Sequence, residues 1–205
     1  MLDNKFDVEL NPFGILYNPL SISAAIRRLL SKKIFSESEL TVHDERYHSF
    51  LHHGSFSAAD RDECLHRINE RFELAAKRIA QTDLFLITFG TAYVYRLKES
   101  GNIVGNCHKF PADFFTISRI SVENVVDEWS KLIEEIRKIN PMSKFVFTVS
   151  PIRHWKDGAH ENQLSKSILL LSIDRFMQKF PDSVRYFPAY ELVMDDLRDY
   201  RFYAS

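Results

Sequence analysis

The chain has 205 residues, 45% of them apolar and 17 of them phenylalanine, enough to fill one sizeable core. Its 27 basic and 28 acidic side chains leave a formal charge of −1, which gives no electrostatic footprint for nucleic acid or an anionic membrane. The two cysteines, Cys64 and Cys107, are too few for a disulfide framework, and no run approaches the roughly 18 to 20 apolar residues that span a bilayer. The N-terminus carries acids where a signal peptide is basic and then apolar, so a cytoplasmic protein is expected.

In chain order, Phe6, Val8 and Leu10 alternate with charged neighbours and predict a strand over Lys5 to Leu10. Asn11 to Pro19 follows as a loop with two Asn-Pro pairs, and its Gly14 allows a close backbone approach. Ser21 is placed to cap a helix bearing Ile22, Ile26, Leu29 and Leu30. Ser31 to Asp60 shows no period and reads as a long surface excursion holding His43, His48, His52 and His53. Leu65, Ile68, Phe72, Ala75 and Ile79 predict a helix over Asp60 to Gln81, and Asp83 to Phe89 a strand covered on both faces, ending at Gly90-Thr91. Tyr93 to Asn106 reads as a hairpin turning at Glu99 to Asn102, followed by the polar cluster Asn106-Cys107-His108-Lys109.

Ser121 opens a second helix whose Val122, Val125, Val126, Trp129, Leu132, Ile133 and Ile136 point inward, and Asn140-Pro141 ends it. Phe145 to Val149 is a β-branched and aromatic run that stops at Ser150-Pro151. A helix is predicted from near Glu161 to about Phe180, a strand over Val184 to Phe187, and a helical piece over Leu192 to Leu197. Strands alternating with long helices argue for an α/β fold with a mostly parallel sheet, and the absence of repeats and flexible linkers for a single domain over 1–205.

Loops at the carboxyl ends of parallel strands are where ligands bind. The loop after Phe145 to Val149 holds Arg153, His154, Lys156, Asp157, His160, Glu161 and Asn162, more chemistry than a structural turn needs. Asp157 and His160 have Asp-x-x-His spacing, which suits a carboxylate orienting a base; the plainer alternative is that Asp157 caps the helix. Arg153 suits a carboxylate or phosphate, His154 a strand-end base, and His108 a second base. Cys107 beside His108 points to the opposite face of a strand, and Gly54-Ser55 lacks the strand-Ser-helix setting of an exposed nucleophile. The spacing of the four histidines between 43 and 53 fits no ligand pattern, so a polar surface loop is expected and no metal.

Five runs in order, NPFGILYNP (from Asn11), ITFGTAYVY (from Ile87), GNCHKFP (from Gly105), SPIRHWKDGAHENQLSK (from Ser150) and YFPAYELVMDDLRDYRFYA (from Tyr186), resemble the GSCFA family. The resemblance implies an SGNH or GDSL-type hydrolase with a flavodoxin-like three-layer α/β/α sandwich, acting on a small acyl ester or acylated carbohydrate without a cofactor. It implies Gly14 as an oxyanion-hole donor and Gly90-Thr91 as the third block, with Thr91 or Ala92 where an Asn is expected. The resemblance further implies Asn18, Asn106, His108, Arg153 and His154 as lining the same cleft, with Asp157 and His160 as a runner-up dyad only. No Gly-Ser-Cys-Phe-Ala motif occurs in the sequence, and the Asp-x-x-His-Pro segment that follows the Arg-Phe-Tyr-Ala run in the family is not present. A truncated chain without the nucleophile is therefore expected: inactive alone, and less stable than its parent or self-associating. The alternatives are a non-catalytic binding module for an acyl or sugar ligand, and a complete enzyme using His108, His154 or the Asp157/His160 pair with a metal or Cys107.

Overall fold

The computed structural model describes residues 6–154 and 157–197. Its helices are α1 (Pro19–Ser31), α2 (Arg61–Arg78), α3 (Val122–Ile139), α4 (Ala159–Lys179) and α5 (Ala189–Glu191). Its strands are β1 (Thr41–His43), β2 (Arg46–His48), β3 (Leu84–Phe89), β4 (Tyr93–Leu97), β5 (Ile103–Val104), β6 (Phe115–Arg119), β7 (Lys144–Val149) and β8 (Val184–Tyr186). Contacts divide the chain into two compact units. Unit 1 takes the chain up to Leu16 with Ala24–Gln81 and Tyr95–Thr116; unit 2 takes Tyr17–Ser23, Thr82–Val94 and the chain from Ile117 onward.

Unit 2 is mixed α/β around a small parallel sheet of order β3-β7-β8, packed by α3 and α4. The β3 and β7 ladder runs in register from Leu84↔Lys144 to Phe89↔Val149, so both strands end at the same level. Ser121 caps α3 by accepting from Asn124 N–H, and the chain leaves the helix at Asn140. Trp129 of α3 is fully buried between Phe89, Phe147 and Phe176, with ring centroids 5.1, 5.3 and 6.4 Å away, and its indole N–H donates to Pro19 O at 3.0 Å. Four elements therefore meet on one side chain. Trp129→Ala is expected to cost about 3–5 kcal/mol in a urea unfolding titration; a loss under ~1 kcal/mol would mean that α3 is not anchored there.

In unit 1, Asp60 caps α2 through Glu63 N–H, and α2 buries Cys64, Ile68, Phe72, Ala75 and Ala76. The β1/β2 hairpin pairs Thr41↔His48, and β4 pairs β5 antiparallel at Tyr95↔Val104. Phe13, Phe35 and Phe72 meet edge to face at 5.6 to 6.3 Å, a geometry that favours aromatic packing.

Several expectations change. Residues 6–10 form no strand: Phe6 and Leu10 are 62% and 56% exposed, and Asp7 and Glu9 instead pair with Arg78 and Arg71 of α2. Lys5 of that predicted strand and Lys156 of the predicted loop lie outside the described residues. Ser21 does not cap α1; Asn18 Oδ1 accepts Ser21 N–H at 2.8 Å with Pro19 at the first helical position, where its missing N–H costs nothing. The outer face of β3 is uncovered, with Leu84 and Leu86 about half exposed. β6 was not expected: Phe115 and Ile117 alternate with Thr116 and Ser118 over only five residues, and all but Phe115 are exposed. The last piece is α5 followed by a π-helical turn over Leu192–Asp196. Most consequentially, His48 and His52 are buried, at 7% and 1% exposure, and not solvated in a surface loop.

Candidate functional site

The carboxyl ends of β3 and β7 in unit 2 carry a dense polar cluster, as parallel strand ends do when helices and loops converge on them. Past Phe89 the chain offers three successive N–H groups. Gly90 and Thr91 both donate to one oxygen, Tyr17 O, at 2.7 and 3.1 Å, and Ala92 donates to Ser165 Oγ at 2.7 Å. Successive N–H groups aimed at one point make a concavity for an electron-rich oxygen. A Cβ at Gly90 would lie 3.1 Å from Tyr17 O and 3.3 Å from Tyr17 Cβ, a tight contact that glycine avoids. Thr91 Oγ1 accepts Tyr93 N–H and sits 3.3 Å from Ser165 Oγ.

From the β7 side, Ser150 N–H donates to Phe89 O, the last ladder bond, and Ser150 Oγ accepts Ile152 N–H. His154 N–H donates to Oδ1 of buried Asn162 on α4, and Asp157 N–H donates to His154 O. These bonds fix the backbone of the loop. Arg153 donates to Met194 Sδ in the π-helical turn at 3.3 Å. Gly158, with φ +85°, is the N-cap of α4, so Asp157 does not cap it; among the described residues no hydrogen bond joins Asp157 to His160, which is exposed on the first turn. Glu161 accepts Tyr93 OH at 2.6 Å and pairs with Arg119. The bond to Tyr93 is the main cause that holds the Glu161 carboxyl below its usual range, and Glu161 raises the phenol in return.

In unit 1, Gly14 closes a turn by donating to Asn11 O at 2.7 Å, while His53 N–H donates to Phe13 O. Asn106 Oδ1 accepts His108 N–H, fixing His108 at φ +48°. His108 Nε2 faces Ser49 O at 2.8 Å and His48 Nε2 faces His43 O at 3.0 Å, so each of these nitrogens carries its proton, and His48 Nδ1 lies 2.7 Å from Ser57 Oγ. The two rings lie 4.5 Å apart. His52 is stacked on Phe13 at 4.7 Å, edge-on to Phe35, and against Phe56, with Nδ1 2.9 Å from Ser49 Oγ. Burial first, then His108 and Arg28, pushes His52 down to about 3, and burial pushes His108 down as well. Neutral imidazoles in an aromatic setting suit packing more than proton transfer.

Of the sequence candidates, Gly14, Asn106 and His108 thus fall in unit 1, and Asn18, Gly90, Thr91, Arg153, His154, Asp157 and His160 in unit 2. Within unit 2, Asn162 joins His154 to α4, and Ser165 joins Thr91 and Ala92 to it. Tyr17, Ser165 and Lys166 were not expected at the site. Lys166 had a legible signal: it falls on the helical stripe of Asn162, Leu169 and Ile173, where a charge is out of place. Among the described residues no three His, Cys, Asp or Glu side chains are grouped to hold a metal ion, and no helix is long and apolar enough to cross a membrane. Compared with known proteins, residues 1–205 match the family model described as GSCFA. No curated protein and no solved structure matches the chain.

Proposed function

This chain belongs to the GSCFA family, and on that footing we propose that it carries the acyl-oxygen-binding scaffold of an SGNH-type ester hydrolase built as a flavodoxin-like three-layer sandwich. Its ligand is a small acyl ester or an acylated carbohydrate. One observation supports this above the others: Gly90 and Thr91 N–H converge on a single carbonyl oxygen at the end of a parallel strand. Acyl transfer needs that arrangement, because negative charge develops on the acyl oxygen and preorganised donors stabilise it. A substrate oxygen would take the place now held by Tyr17 O. His154, with its backbone fixed by buried Asn162 at the end of β7, is the better-supported base; among the described residues no hydrogen bond joins Asp157 to His160.

The 205 residues contain no Gly-Ser-Cys-Phe-Ala serine, so this chain alone binds without turnover. A serine-directed fluorophosphonate probe and p-nitrophenyl acetate test that statement: no labelling and no hydrolysis above buffer are expected. Stoichiometric labelling of any serine would overturn it. Binding is tested by adding phenyl acetate to 15N-labelled chain. Shifts concentrated at the Gly90, Thr91 and Ala92 amides are expected, and no response there would count against the scaffold.

A second reading, a non-catalytic binding module, has one specific point in its favour. The N–H groups of Gly90 and Thr91 are both satisfied by the chain's own Tyr17 carbonyl, so an oxyanion must displace it. Turnover by a longer product that includes the family's serine motif separates the two: a module remains silent there as well.

A further inference from the structure

Lys166 is fully buried on α4, two turns from its start. Its Nζ donates to Gly90 O at 2.6 Å and to Ser150 O at 2.7 Å. Those carbonyls belong to the residues that directly follow Phe89 and Val149, the last registered pair of the β3 and β7 ladder. One step beyond the pairing, two carbonyls are left pointing into the interior, and an ammonium supplies the donors that the ladder no longer does. Among the described residues no carboxylate pairs with Nζ. A buried cation is costly without a counter-ion, and here only carbonyl dipoles compensate it.

The two bonds differ in what lies beyond them. The Ser150 carbonyl belongs to the peptide bond with Pro151, which has no N–H. The Gly90 carbonyl shares its peptide with Thr91 N–H, one of the two donors that converge on Tyr17 O. Drawing electron density from a peptide carbonyl makes the N–H of the same peptide a stronger donor, the cooperativity of hydrogen-bond chains.

We propose that Lys166 is the positioning residue of the strand-end donors: its ammonium pins the Gly90 and Ser150 carbonyls and, through the Gly90–Thr91 peptide, strengthens Thr91 N–H toward a charged acyl oxygen. The acyl oxygen as ligand rests on the function proposed above; the coupling of Lys166 to that peptide does not. Burial alone, with no charged neighbour contributing, pushes the Lys166 amine down to about 8, so its charge is removed over a mildly alkaline range.

The test needs no variant in its first arm. In 13C,15N-labelled chain, the carbonyl carbons of Gly90 and Ser150 and the amide of Thr91 are followed from pH 6.5 to 9.5. All three are expected to move with one shared midpoint near 8, while in Lys166→Met they stay flat; flat wild-type resonances, or an unchanged titration in Lys166→Met, would overturn the proposal. Lys166→Arg keeps the charge above pH 9.5 and should show no midpoint, yet retain phenyl acetate binding within a few-fold, where Lys166→Met loses about tenfold. A shared midpoint without any response to phenyl acetate leaves Lys166 coupled and overturns the ester reading instead. A response to the ester with flat titration overturns only the role of Lys166.

Discussion

Replacing His52 by phenylalanine is expected to flatten the acid limb of the chain's stability curve while lowering stability modestly at neutral pH. In the folded state burial holds His52 neutral down to about 3, whereas in the unfolded chain it takes a proton near 6.5. Above pH 6.5 both states are neutral and the native packing is fully available. Below it the unfolded state gains a proton that the native state refuses, so stability falls until pH approaches 3. At about 1.4 kcal/mol per pH unit, His52 alone removes ~2 kcal/mol by pH 5. His108, also depressed by burial and faced by His48 and His53, adds loss in the same direction. Phenylalanine keeps the stacking on Phe13 and Phe35 and removes the proton site, but Ser49 Oγ loses its shorter partner and keeps only Leu51 N–H, at a cost of ~1 kcal/mol. Urea midpoints at pH 7.5 and 5.0 check this. An equal drop between the two pH values in wild type and His52→Phe would show that the buried imidazole does not govern acid sensitivity.

Gly14→Ala is expected to destabilise unit 1 by about 2–4 kcal/mol. Two independent penalties act at that position. The backbone has φ +76°, disfavoured for any residue with a Cβ, and the added atom would sit 2.3 Å from His53 Cβ. His53 cannot step back easily, because its own N–H is tied to Phe13 O at 2.8 Å and its ring nitrogen to Ser55 N–H. Gly101→Ala is the matched control: φ is +71°, but nothing lies within 4 Å of the added atom, so only the backbone penalty of ~1–2 kcal/mol remains. Urea titration of both variants separates clash from strain. If the two lose the same amount, the close approach of Gly14 to His53 carries no weight. Local packing of this kind explains a glycine at position 14 without an oxyanion role.

The long helices were legible because cap and stripe agree: Asp60 and Ser121 open α2 and α3, and apolar residues at helical spacing face the interior. β3 and β7 were legible as largely apolar runs rich in aromatic and β-branched residues. A parallel sheet was legible in the alternation of strands with long helices, though not which strands pair. What failed was long-range in origin. The alternation of Phe6, Val8 and Leu10 matches a strand, yet Arg71 and Arg78, more than sixty residues on, draw the intervening acids to α2. His52 looks polar in sequence, and only the convergence of Phe13, Phe35 and Phe56 makes it part of an aromatic core. The polar cluster at the strand ends was anticipated as a place, from the composition of the loop after β7. Its donors were not, since the convergence of Gly90 and Thr91 on Tyr17 O depends on a segment seventy residues earlier.

The division of the chain also bears on synthesis. Unit 1 is assembled from three stretches, and Tyr17–Ser23 and Thr82–Val94, which separate them, belong to unit 2. As the polypeptide leaves the ribosome, α2 emerges before the β4/β5 hairpin of the same unit, and β3 emerges before its ladder partner β7 by more than fifty residues. Neither unit can close while the chain is half made, so each waits with apolar surface uncovered for a late arrival. No single scissile point yields two independent pieces. A split of this chain into fragments therefore restores the native state only by complementation, with both fragments present together.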